Sequence, residues 1–174
     1  RPTERRFRGA DPSDDERVLY GLIGAWRKWD DIVTIEPYYL ILDEDRKELP
    51  NDREIHTTGV HMYGPIGKTG FDYDLDQYWQ FGETGQGKHC AYASFAELGY
   101  TFKHAWKPRL SFQNMYGSGD RDPRDVDDDR YDRLFGVAHV SSNSDMIDMR
   151  NMIMAKTRLE LQPTDKLQVA TSYG

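Results

Sequence analysis

Three carboxylates stand at alternate positions in GFDYDLDQYWQFG, residues 70–82: Asp72, Asp74 and Asp76. Phe71, Tyr73, Leu75, Trp79 and Phe81 hold the positions between and beyond them. Carboxylates this close together can move protons, hold a hard cation or line an aqueous passage with charge. A period of two places them on one side of a β-strand and the rings on the other. A strand with an acidic side and an aromatic side belongs between water and something apolar.

The other reactive side chains do not assemble into an enzyme. The five His (56, 61, 89, 104 and 139) show no H-x-x-x-H spacing, and neither G-x-S-x-G nor a Gly-rich phosphate loop is present. His56 and His61 are five apart and fall on opposite faces of a strand. No catalytic residue and no cofactor are expected. Cys90 is the single cysteine, which excludes an intrachain disulfide and a thiolate metal cluster. DRDPRDVDDDRYD, residues 120–132, holds seven Asp and three Arg. Clustered carboxylates suit calcium, but Tyr131 stands where an EF-hand loop starting at Asp120 would need its closing Glu. A solvated, self-paired loop without metal is the expectation, opened by Ser118, Gly119, Asp120, Arg121 and Asp122.

The elements that carry these residues alternate almost throughout. About eight strands are expected: 17–29, 32–42, 53–63, 70–82, 88–103, 109–116, 146–161 and one beginning at Leu167. Residues 146–158, rich in Met and Ala, are the best helical candidate. Arg150, Lys156 and Arg158 share one parity there with Asp148, which favours a strand. Turns near 30, 66, 105 and 164 are tight or short, whereas the loops near 47 and 131 are long and charged. Strands of ~9–16 residues exceed the usual ~5–6 of globular sheets. Short turns on one rim and long loops on the other fit a transmembrane barrel. A soluble β-sandwich or lipocalin-like barrel alternates as well, so that reading stays open.

Composition narrows the classes. Of 174 residues, 37% are hydrophobic and 30% charged, with a mean hydropathy of −0.83, and no run reaches the length of an apolar membrane helix. Barrel strands escape that test because only alternate residues meet lipid. Eleven Tyr and four Trp are many for so polar a chain, and barrels gather such rings into interfacial girdles. A net charge of −7 argues against nucleic acid as a partner. The polar start RPTERRFRGADPSDDER shows no signal peptide, and a piece of a longer mature protein is expected.

GFDYDLDQYWQFG, AELGYTFKHAWKPRLSFQNMYGSGDRDPRD, RLFG and DMIDMRNMIMAKTRLELQPTDKLQVATSYG follow one another in order. This set resembles the bacterial alginate-export family of outer-membrane porins over about residues 18–174. In that family a strand ending Q-F-G precedes an L-G-Y-x-F strand, a W-K-P-R turn, an S-G-D-R-x-P loop and an L-x-P-T-D turn. The resemblance implies an all-β, antiparallel transmembrane β-barrel of about 16–18 strands, of which this chain supplies part as a single domain. It further implies a monomer in the outer membrane that passes an anionic polysaccharide through a charged lumen, with outer-membrane lipid and periplasmic export components as partners. A porin of the same fold for small organic anions is the first alternative. A soluble carbohydrate-binding barrel is the second.

Parity then assigns the substrate path. Arg27, Glu36, Asp72, Asp74, Asp76, Glu97, Lys103, Arg109, Arg150, Lys156 and Arg158 are expected to face the lumen, because ionised groups on the lipid face are costly. Ile147, Met149, Ile153 and Leu159 are expected to face outward. Each base either attracts a carboxylate of the passing polymer or pairs with an acid on a neighbouring strand.

Overall fold

Alternation over nine segments builds one antiparallel sheet. The computed structural model describes residues 16–29, 31–45, 52–134 and 149–174. The strands are β1 (Arg17–Ile23), β2 (Trp26–Trp29), β3 (Val33–Glu44), β4 (Arg53–Pro65), β5 (Phe71–Thr84), β6 (Gly87–Thr101), β7 (Arg109–Gly117), β8 (Met152–Thr164) and β9 (Leu167–Tyr173). From β3 to β9 each strand pairs with its successor, and β1 and β2 both lie along β3. The described sheet is open, with β9 at one edge and β1 with β2 at the other. Among the described residues no helix is long and apolar enough to cross a membrane.

Three expected boundaries need correction. The strand expected over 17–29 is two, broken at Gly24 and Ala25. The residue facing that break is Pro37, which accepts from Gly24 N at 2.9 Å but has no N–H to return. The strand expected from 146 begins at Met152, since Asn151 adopts a left-handed backbone at φ 48° and turns the chain. Arg150 therefore lies in a turn, and residues 146–148, Asp148 and Ile147 included, fall outside the described residues. The fifth expected strand stops at Thr101, which leaves Lys103 in an exposed turn rather than on the wall.

The two faces differ as the alternation requires. Along β7, Ser111, Gln113, Met115 and Gly117 are buried, while Leu110, Phe112, Asn114 and Tyr116 are exposed. Trp79 and Phe81 on β5, Leu98 on β6 and Ile153 on β8 share that exposed apolar face. Soluble monomers rarely leave so continuous an apolar surface uncovered. A small core of Ala91, Ala93 and Tyr131, with Tyr78 and Met149 against it, lies on the opposite face. Met149 thus departs from the outward position expected for it.

Candidate functional site

The face opposite the aromatic band carries most of the charges, densest towards the short turns, while Asp43, Glu54, Glu83 and Lys88 stand on the aromatic side near the long-loop rim. Arg109, the first residue of β7, lies across Gly99 of β6. A Cβ at residue 99 would sit 2.3 Å from the Arg109 Nη2, so a larger residue there would require the guanidinium to shift off its place. Its Nε donates to Asp72 Oδ2 at 3.1 Å and its Nη1 to Glu160 Oε2 at 3.1 Å. Nη2 lies 2.6 Å from Glu97 Oε1 and also donates to Asp72. Arg158 Nη2 reaches the other oxygen of Glu160 at 2.9 Å, and Gln113 donates to Glu97. One arginine thus ties together carboxylates from β5, β6 and β8.

A second network lies beside it. His61 on β4 stands between Asp74 (Nε2 to Oδ1, 2.8 Å) and Glu36 (Nδ1 to Oε2, 3.5 Å), and Arg27 Nη2 reaches Glu36 at 3.3 Å. Tyr38 donates to Asp76 at 2.9 Å, and Tyr78 donates to its other oxygen. The three aspartates of residues 70–82 therefore each have a partner on the charged face. Lys156, opposite Gln113, makes no ion pair among the described residues.

The structure brings Asp72, Glu97, Arg109 and Arg158 into one cluster and Arg27, Glu36 and Asp74 into another. It sets Lys103 apart in its turn, and it puts Arg150 at the far end, 3.7 Å from Asp132. The sequence reading missed His61, which links the second cluster, and Arg53, Gln80 and Asp132 at the long-loop end. The available signal for His61 was its parity with Arg53 and Thr57 on its own strand, opposite to that of the apolar Val60 and Met62.

The loop that follows β7 is organised by Ser118. Its N–H donates to Tyr92 O at 2.9 Å, its Oγ accepts from Tyr92 N and donates to Asp129 O at 2.7 Å, and its carbonyl accepts from Tyr131 N and Asn151 N. The aspartates act mostly as local backbone acceptors. Asp120, Asp122, Asp125, Asp128 and Asp132 each accept the N–H two residues on, the geometry of an Asx turn. Asp127 accepts Lys88 N, and Asp129 pairs with Arg121 at 2.7 Å. Burial works against ionised Asp128, yet the Arg130 side chain and N–H hold its carboxyl below the usual range. Tyr131 and Asp132 are buried, so the loop is not solvated throughout as the sequence suggested. Among the described residues no group of three or more His, Cys, Asp or Glu could hold a metal ion.

A family model described as alginate export matches residues 1–174. The chain belongs to the alginate-export family. Proteins of this family are β-barrel transport porins of the outer membrane. No curated protein and no solved structure matches the chain. Among the described residues the charged face of this alginate-export chain is balanced, since Arg27, Arg53, Arg109 and Arg158 each hold an acid.

Proposed function

We propose that the charged face lines the aqueous lumen of an outer-membrane channel through which an alginate-like polyuronate passes by diffusion. One observation carries this reading: apart from Asp43, Glu54, Glu83 and Lys88 near the long-loop rim, residues from β3 to β8 place their ionic groups on one face and their exposed rings on the other. A Lys or Arg facing lipid would cost about 2–4 kcal/mol at the bilayer midplane, and Asp or Glu somewhat less, so the charged side belongs to water. Lys156, and Arg158 where Glu160 leaves it free, then supply the anion contacts. Asp72, Asp74 and Asp76 serve the wall rather than the substrate. In this reading the chain contributes one sheet to a monomeric barrel of about 16–18 strands in the bacterial outer membrane, the loop after β7 lies at the outer mouth, and periplasmic export components deliver the polymer.

Single-channel recording of the full-length protein in a planar bilayer tests this. Polymannuronate added to one side is expected to block current in a dose-dependent way. Current blocked by small organic anions but not by the polymer would instead assign a porin for small solutes. The offset of Arg109 by three carboxylates is the feature that favours this second reading.

A further inference from the structure

The loop after β7 does not leave the sheet. Beyond Gly117, residue 128 takes the place that β7 vacates beside β6: Asp128 N donates to Lys88 O at 2.8 Å and Cys90 N to Asp128 O at 3.2 Å. The chain then crosses the charged face. Tyr131 is buried on Ala91 and Ala93 of β6, its ring 5.6 Å from that of Tyr78 on β5. Next to it, Gln80 of β5, only 2% exposed, donates its Nε2 to Asp132 O at 2.6 Å and accepts Asp132 N at 2.8 Å. The Asp132 carboxylate reaches Arg53 of β4 at 2.7 Å, and Arg53 is braced by Glu44 of β3. Arg53, Tyr78, Gln80, Ala91 and Ala93 all belong to the charged face. The wall also makes room for the segment, because a Cβ at Gly87 would lie 1.5 Å from Val126 O.

From this we infer that residues 126–134 form a strap seated inside the passage that sets its narrow cross-section and thereby selects what passes. The inference rests on the charged face being the lumen. A layer packed face-on against a sheet stands about 10 Å out from it, and crossing from β6 to β4 covers about 10 Å of wall. The fastening does not depend on ionised groups alone. Gln80 binds the strap backbone in both directions, and Tyr131 fills the apolar floor beneath it. Replacing both strap anchors is therefore needed to release it.

Two measurements on the full-length protein in lipid nanodiscs and bilayers test the strap. In a Cys90→Ser background, Arg133→Cys puts a thiol on an exposed strap position. A small methanethiosulfonate is expected to label it readily. A polyethylene-glycol maleimide too bulky to enter the barrel is expected to react about tenfold more slowly, relative to its rate on an engineered cysteine at the rim. In the second measurement, Gln80→Ala with Tyr131→Ala is expected to raise single-channel conductance about twofold by freeing cross-section. Equal labelling by both reagents would overturn the strap, as would an unchanged conductance in a correctly assembled double variant. The labelling comparison leaves the anchors intact and holds even if the double variant does not assemble. Protection of residue 133 in a protein that conducts nothing would keep the strap and remove the conduction reading.

Discussion

Arg109 and Arg53 sit at opposite ends of the charged face, and each is gripped by carboxylates. The partners of Arg109 all come from the sheet, on β5, β6 and β8. Those of Arg53 are one from the sheet, Glu44, and one from the loop after β7, Asp132. The first arrangement is cross-strand and fixes the charge of the wall. The second reaches 79 residues along the chain and fixes a segment that could otherwise lie elsewhere. The same residue type, on the same face, thus does wall-building at one end and fastening at the other.

Separating these roles by substitution orders the expected effects. Arg109→Gln strands Asp72, Glu97 and Glu160 beside one another. A fall in unfolding free energy of about 2–3 kcal/mol in a urea titration is expected, with a reversal potential shifted towards cations. An unchanged midpoint would show that the three acids are screened without it. Gly87→Ala should act only at the other end. The clash with Val126 O displaces the strap, at a cost of about 1–2 kcal/mol, speeds proteolysis in the loop after β7 and raises conductance. Lys156→Gln removes a base with no ion pair among the described residues, so stability should hold within about 0.5 kcal/mol while polymannuronate block weakens about threefold. A larger loss of stability would mean that Lys156 is part of the wall's pairing.

The smallest effect concerns pH. The Asp128 carboxyl is held below its ordinary value, so its contribution to loop order is complete above that value and is lost only as pH falls through the depressed one. Proteolysis of the loop should be the same at pH 7 and pH 5 and rise only below about pH 4. A rise between pH 7 and pH 5 would point to another titrating group.

The strands and their faces were legible because period-two alternation reports directly which side of a sheet each residue meets. Asp72, Asp74 and Asp76 share one face with Glu97 and Arg109. The break at Gly24 was not legible, since its cause is Pro37 on the opposite strand. Nor was the fate of the acidic loop. Its Asp-x-x rhythm resembles a solvated run until the Asx turns are seen, and Gln80 lies 52 residues from Asp132. Tyr131 and Leu134, apolar residues in a run of charges, were the local sign that the loop returns to a surface.

The grip of Arg109 on three other strands has a consequence for assembly. Slipping one strand by a single residue would turn its whole charged set to the apolar side, a gross error. A slip by two keeps the facing correct, and hydrophobic patterning alone would accept it. It would, however, move Arg109 about 7 Å from its acids and leave them bunched without a counter-charge. The cluster therefore works as a proofreader of register, rejecting the one misalignment that the greasy and wet sides of the sheet do not detect.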